Sequence, residues 1–145
     1  MNDKPSVCTT EISLEQWNEQ ASHSLMGNLG IRYTYADETR IEATMPVDHR
    51  TRQPFGMLHG GATLALAETI AGLGSTILCQ PDEVAAGMQV SGNHISSARE
   101  GDTVRAVGTI IHKGHSSHVW NVDVFTSTGK LVSSVRVVNS IMKKR

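Results

Sequence analysis

Aromatic side chains are scarce in this chain: two each of Trp, Tyr and Phe make up 4% of 145 residues. A core with so few rings must close on aliphatic side chains, and 13 glycines let a helix sit close against a sheet. Cysteine is nearly absent as well. Cys8 and Cys79 stand far apart, which argues against a disulfide framework and leaves no metal-binding spacing. Neither sign of charge dominates, with 13 Lys and Arg against 14 Asp and Glu and a formal net charge of −1. That balance gives no electrostatic case for nucleic acid or an anionic membrane surface as a partner. Residues 1–7 are polar and lack the apolar segment of a secretory signal, so a cytoplasmic location is expected. The length fits one domain spanning 1–145, with residues 1–12 expected to be frayed or extended because they carry no periodic signal.

What the sequence does have is one long apolar run. From Ala62 to Cys79 the residues Leu64, Leu66, Ala67, Ile70, Ala71, Leu73, Ile77 and Leu78 cover nearly every side of a helical wheel. Such a pattern predicts a helix buried all round. A membrane span is disfavoured by Glu68 near the centre, by several glycines and by the lack of flanking basic residues. Glu68 is the one charged residue inside the run. Desolvation makes a lone carboxylate costly there unless it is paired, hydrogen-bonded or kept for chemistry. The alternative is a structural acid facing a water-filled gap.

The start of that helix carries a second signal, the stretch from Gln53 to Gly61. Backbone N–H groups in a first turn lack intrahelical acceptors, and the aligned peptide dipoles make that end partly positive. Gly60 and Gly61 would let a substrate oxygen approach without a Cβ in the way, as an oxyanion hole for acyl transfer requires. His59 and Gln53 precede it as possible donors, although His59 also fits a plain hydrogen bond to the backbone. Gly60 and Glu68 are eight residues apart, a helical rise of roughly 12 Å. One chain is therefore badly built to bring both to one carbonyl carbon. Two helices lying antiparallel across a two-fold axis would do so, with two composite sites formed by symmetry.

The remaining elements frame this helix. Ser13 and Gln16 fit a capping box that opens a short helix through about His23, and Met26 to Gly30 reads as a turn. Gly30–Tyr35 and Arg40–Met45 read as strands joined at Ala36–Thr39, with Pro46 closing the second. Val84–Ser97, Thr103–Lys113, Ser117–Ser127 and Lys130–Met142 read as four more strands in an antiparallel meander, followed by a solvated basic tail. The order predicts an α+β fold in which an antiparallel sheet wraps around one helix. Its open edge would be covered by a second copy.

Met45-Pro46-Val47-Asp48, Arg50 to Gly56, Leu58-His59-Gly60-Gly61-Ala62 and Leu66-Ala67-Glu68-Thr69 together resemble the hotdog-fold acyl-CoA thioesterases of the phenylacetate-degradation type. The likeness is closest to the branches that hydrolyse 1,4-dihydroxy-2-naphthoyl-CoA and that proofread enterobactin synthesis. Asn93-His94, Ser97 to Gly101, Val119-Trp120 and Gly129-Lys130-Leu131 support it, and it runs from about Leu14 to the end. The resemblance implies hydrolysis of an aroyl- or acyl-CoA, or of an acyl group on a carrier protein. Glu68, supplied by the partner protomer, would be the catalytic carboxylate, as nucleophile or general base. His59 and Gln53 would orient the substrate, and the Gly60 N–H would polarise the carbonyl. Gly87, His94, Ile95, Ser96 and Ser97, with His112, Lys113, Gly114, His115, Ser116 and Ser117, match segments that hold the acyl group and the CoA arm. It also implies homodimers with shared sites, paired into a homotetramer. CoA enters as part of the substrate, and no separate cofactor or metal is expected.

Two departures stand out. Gly72 occupies a position where relatives often carry a serine near the attacking water, and Ser96 and Ser116 stand where an arginine is often available for CoA phosphates. Read without the family, His94 is a core histidine on a strand. His112, His115 and His118 crowd one hairpin at a spacing poor for a closed metal site and fit a solvated loop. Arg99 and Glu100 read as a surface pair. Two rivals to hydrolysis are a hotdog hydratase or dehydratase, which Leu58-His59-Gly60-Gly61 fits poorly, and a non-catalytic acyl-CoA-binding module.

Overall fold

The computed structural model describes residues 12–145, so Cys8 and almost all of the first twelve residues lie outside it. Helix α1 (Leu14–Ala21) opens on the expected capping box. Ser13 Oγ accepts from the Gln16 N–H at 3.2 Å, and Gln16 Oε1 accepts from the Ser13 N–H at 2.8 Å. Where a turn was expected, a second short helix forms, α2 (Leu25–Leu29). Ser24 Oγ accepts from the Met26 N–H, and Gly30 ends the helix in the left-handed region at φ 74°.

Strands β1 (Arg32–Ala36) and β2 (Arg40–Pro46) are joined by a turn in which Asp37 accepts from the N–H groups of Thr39 and Arg40. The long helix α3 (Gly60–Leu78) follows, then β3 (Glu83–His94), β4 (Thr103–Lys113), β5 (Ser117–Phe125) and β6 (Leu131–Lys143). All six strands form one antiparallel sheet in the order β1-β2-β4-β5-β6-β3, curled around α3. This is the hotdog fold. The last residues are more ordered than a solvated tail: Lys143 belongs to β6 and its Nζ donates to Asp82 at 2.9 Å.

The meander holds for β4, β5 and β6 only. Instead of pairing with β4, β3 lies on the far edge beside β6, and residues 95–102 carry the chain across one end of the sheet. That crossing segment is stitched down by the Ile95 and Ser96 N–H groups to Val132 O, Leu58 N–H to Ala98 O and Val47 N–H to Asp102 O. It consumes residues 95–97, which were expected to continue the strand.

A bulge in β3 has a further effect. Gly87 pairs with Asn139 and Gln89 with Val138, leaving Met88 as the extra residue. Paired residues share a face, and side chains alternate with period two. Without the bulge Gly87 and His94 would face opposite sides of the sheet. With it, both face α3.

Helix α3 is buried on one side through Leu66, Ala67, Ile70, Ala71, Leu73 and Gly74, not all round as its composition predicts. Gly61, Leu64, Ala65, Glu68, Thr69 and Gly72 form an exposed or half-buried stripe in the protomer. It is long and apolar enough to cross a membrane by composition, with mean hydropathy 1.3, and half of that window is buried in the fold. The small residues do bring helix and sheet together. A Cβ on Gly74 would lie 2.4 Å from the Trp120 ring, so only glycine fits.

Beneath the helix, the Ser75 hydroxyl joins three strand residues. Trp120 Nε1 and Asn139 Nδ2 both donate to Ser75 Oγ at 2.9 Å, and His118 Nδ1 lies 3.0 Å from the same oxygen. A hydroxyl has two lone pairs and one proton, so the proton goes to His118, which is thereby neutral with its hydrogen on Nε2. His118 is buried, whereas His112 and His115 are exposed, and the three do not converge as a metal site.

Replacing Ser75 by Ala takes the shared partner from Trp120 and His118 and one of two acceptors from Asn139, and we expect a loss of about 3 kcal/mol in urea unfolding. The His118 pKa is held below its ordinary value by burial, then by the positive charge of Lys113 and against the pull of Glu83. The unfolded chain thus binds this proton at a pH where the folded one does not. Stability should be complete above the unfolded value of 6.5 and decline as pH falls through the lower folded value. A His118→Asn variant, compared with wild type by unfolding midpoint across that window, should show a flatter slope.

Candidate active site

The loop before α3 is built to present Gln53. The Gln53 N–H donates to Met57 O at 2.7 Å, and Gly56 takes φ 84° at the bend. Gln53 Oε1 accepts from the N–H groups of Phe55 and Met57. Only the oxygen of an amide can accept twice, so the orientation is fixed and the NH₂ group is left as the donor.

His59 is the N-cap of α3, and its Nδ1 accepts from the Gly61 N–H at 2.8 Å. The bland reading of His59 is thus met, and the bond leaves Nε2 as the outward nitrogen. The N–H groups of Ala62 and Thr63 return to His59 O. Among the described residues, the Gly60 N–H donates to no protein group. His94 lies directly over it. A Cβ on Gly60 would be 2.6 Å from His94 Nε2, while His94 Nδ1 is 2.7 Å from Ser133 Oγ. His94 is therefore an exposed histidine pinned at the helix start, not a core residue.

Gln53, Gly60, Thr63 and His94 share a cavity of about 440 Å³ whose far wall is residues 95–98 of the crossing segment. Of the residues expected to hold substrate, Ile95, Ser96 and Ser97 are therefore here. The cavity is lined by Gln53, Gly60 and His94, which carry donor groups, and has no carboxylate among its lining residues.

Glu68 is elsewhere. With Gly87 it lines a separate cavity of about 320 Å³, together with Leu25, Ala65, Thr69, Gly72 and Asn139. A Cβ on Gly87 would approach Glu68 Oε1 to 3.3 Å, so Gly87 makes room for the carboxylate. Glu68 is exposed in the protomer rather than desolvated. The third predicted group, His112, Lys113, Gly114, His115, Ser116 and Ser117, forms the β4–β5 hairpin, tied to β6 by the Ile141 N–H to Ser116 O. It lines neither cavity. Glu100 pairs with Arg52 at 3.6 Å rather than with Arg99.

Sequence reasoning missed Ser133 and Asn139, the anchors beneath the two cavities. Both sit at helix-facing positions of β6 otherwise filled by Val135, Val137 and Ile141. A polar residue in the apolar phase of an alternating strand was the signal available.

Residues 55–133 match the model of the thioesterase superfamily. The chain belongs to this superfamily. It is 39% identical over 132 residues to the 1,4-dihydroxy-2-naphthoyl-CoA hydrolase of Escherichia coli, covering 91% of this chain and 96% of that protein. It is 35% identical to the proofreading thioesterase EntH of Cronobacter turicensis, over 90% and 95% of the two chains. Among solved structures, a thioesterase of Haemophilus influenzae aligns with TM-score 0.86 at 40% identity, over 90% of this chain and 91% of that one. These matches make this thioesterase a thioester hydrolase.

The Gly60–His94 approach yields a direct test of the cavity in this thioesterase. Gly60→Ala pushes a methyl into the His94 imidazole beside the Gly60 N–H. We expect about a hundredfold loss of kcat with an unchanged circular dichroism spectrum. Full activity would show that this helix start takes no part in the reaction.

Proposed function

We propose that the protein hydrolyses an aroyl- or acyl-CoA thioester, or the same acyl group on a carrier protein, in sites shared by two protomers. The observation that carries this reading is the separation within one chain of two complementary half-sites: oxyanion donors without a carboxylate, and a carboxylate without donors. The name of the similar 1,4-dihydroxy-2-naphthoyl-CoA hydrolase supports an aroyl group as the first substrate class to test.

Geometry supports an edge-to-edge dimer. Among the described residues β3 pairs on one side only, and its exposed Val84 and Met88 lie along that edge. In an antiparallel pairing the two residue numbers change in opposite directions. A two-fold axis midway between Gly87 and His94 sets Gly87 of one strand across from the partner subunit's His94. Glu68, packed beside Gly87, then faces the partner subunit's Gly60.

In that site the thioester carbonyl oxygen accepts from the Gly60 N–H, with the Gln53 amide and His94 as neighbouring donors. Glu68 of the other protomer supplies the carboxylate that brings oxygen to the carbonyl carbon, and the C–S bond breaks as the thiol leaves. His112, Lys113 and His115 lie on an exposed hairpin suited to phosphate groups of the CoA arm.

Complementation tests the sharing. Glu68→Ala and Gly60→Ala proteins should each be nearly inactive on a panel of benzoyl, dihydroxynaphthoyl and aliphatic CoA thioesters and an aroyl carrier protein. Unfolded together and refolded as an equal mixture, half the dimers are mixed and each carries one intact site. Thiol release should then recover to roughly a quarter of the wild-type rate. No recovery in a mixture shown to contain mixed dimers would exclude shared sites. Tight thioester binding with no turnover by wild type would move the reading to a binding module.

A further inference from the structure

We infer that Asn139 is the second acceptor for the attacking water, holding one of its protons while Glu68 takes the other. The inference rests on the reading of Glu68 as the catalytic carboxylate and assigns it the role of base.

Asn139 is 2% exposed, and its hydrogen bonds fix the orientation of its amide. Asn139 Nδ2 donates to Ala71 O at 3.1 Å and to Ser75 Oγ at 2.9 Å. A peptide carbonyl can only accept, so the nitrogen faces Ala71 and Ser75 and Oδ1 lies on the opposite side of the amide. Asn139 also lines the cavity that holds Glu68, Thr69 and Gly72 of the same helix. A Cβ on Gly87 would lie 3.9 Å from Asn139 Oδ1 and 3.3 Å from Glu68 Oε1. The two oxygens thus look onto the same space, left open by the missing side chain.

Asn139 Oδ1 receives no hydrogen bond from the described residues, yet no buried side-chain oxygen or nitrogen lacks a partner. The oxygen is therefore open to the cavity, where water is the donor at hand. A water placed there gives one proton to each acceptor, and a lone pair is left to point at the thioester carbon. Position alone is worth much in such a step, because a nucleophile aimed by two fixed acceptors loses little freedom on the way to the transition state.

The step balances with the groups named. The water oxygen bonds to the carbonyl carbon, its proton passes to Glu68, and the carbonyl electrons move onto the oxygen held by the partner subunit's Gly60 N–H. Collapse breaks the C–S bond, and the thiolate takes the proton from Glu68. The products are a carboxylic acid, which ionises, and a free thiol. Asn139 keeps its hydrogen bond throughout and exchanges no proton.

Gly72 makes the assignment testable. It lines the same cavity one turn beyond Glu68, and a Cβ there would meet nothing within 4 Å. A Gly72→Ser hydroxyl can therefore offer a substitute acceptor without disturbing the fold. In the dimeric enzyme we expect Asn139→Leu to lower kcat about fiftyfold with KM changed less than about threefold. Adding Gly72→Ser to Asn139→Leu should restore kcat at least tenfold while leaving the loss of melting temperature uncorrected. A purely structural Asn139, acting only through Ala71 and Ser75, predicts no such rescue, and its absence would overturn the assignment. So would a loss of kcat in Thr69→Val with Asn139→Leu unaffected, since the Thr69 hydroxyl would then hold the water. Single turnover in H₂¹⁸O separates the layers: label in the Glu68 carboxylate would overturn the water-holding role and leave the thioesterase reading standing. Full activity of Glu68→Gln would overturn the carboxylate role of Glu68 and, with it, the water-holding role of Asn139.

Discussion

A helix rises about 1.5 Å per residue, and that fixed spacing governs how this fold is used. The first turn of α3 leaves the Gly60 N–H without an acceptor among the described residues, while its next three N–H groups return to His59, and Glu68 follows eight residues after Gly60. Roughly 12 Å is too far for both to reach one carbon, yet both lie on the same helix and cannot be moved independently. The cavities reflect the constraint: each is lined by one half of the chemistry and lacks the other. The exposed stripe of α3 carries Glu68 outwards, away from the sheet it packs on. Glu68 is therefore open to solvent in the protomer, and β3, which pairs on one side only among the described residues, forms an edge of the sheet.

Holding α3 in place falls to an unusual core. With so few aromatic rings, the sheet closes on small aliphatic residues, and Gly74 gives way to Trp120 so that helix and β5 touch. The contact would be slippery without direction, since apolar packing has none. Direction comes from Ser75, whose hydroxyl is saturated by Trp120, Asn139 and His118. That arrangement fixes the rotation of the helix, and with it the heading of Glu68 seven residues earlier. The same cluster holds Asn139, which lines the cavity of Glu68, so the packing hub reaches that cavity. Polar groups buried this deeply cost stability unless every partner is present, and here the described ones are.

The sequence made the central features readable because they rest on local rules. The capping box at Ser13, the hairpin at Asp37 and the helix after Gly60-Gly61 depend on neighbours in the chain, and each is found. The geometry of His59 and Gly60 follows from what any helix start leaves unpaired. What the sequence hid was set by distant partners. The pattern of α3 reads as buried all round because leucine and alanine fill most of its wheel, but Gly61, Ala65 and Gly72 are too small to show which side faces outwards. The place of β3 beside β6 was hidden for a different reason: residues 95–102 read as the tail of a strand and a short turn, whereas they form a crossing held by backbone bonds to β6 and to the loop before α3. That crossing builds the wall of the Gly60 cavity. His118 was read with its neighbours as a solvated loop, and alternation along β5 turns it inwards instead.

The bulge at Met88 connects these points. Gly87 lines the Glu68 cavity and His94 the Gly60 cavity, and they stand seven positions apart on one strand. Strict alternation would turn one of them to the outer face, and a flat strand could then serve a single half-site. One extra residue reverses the phase between them, so that both face the helix. A symmetric pairing of two such strands needs this property, because each half-site must open towards the same side as the half-site it meets. The bulge sits on the edge strand, where it disturbs one ladder of hydrogen bonds rather than two. An edge that would otherwise invite pairing with any strand is given a particular register by it. The irregularity in β3 is thus what turns both Gly87 and His94 towards the one helix.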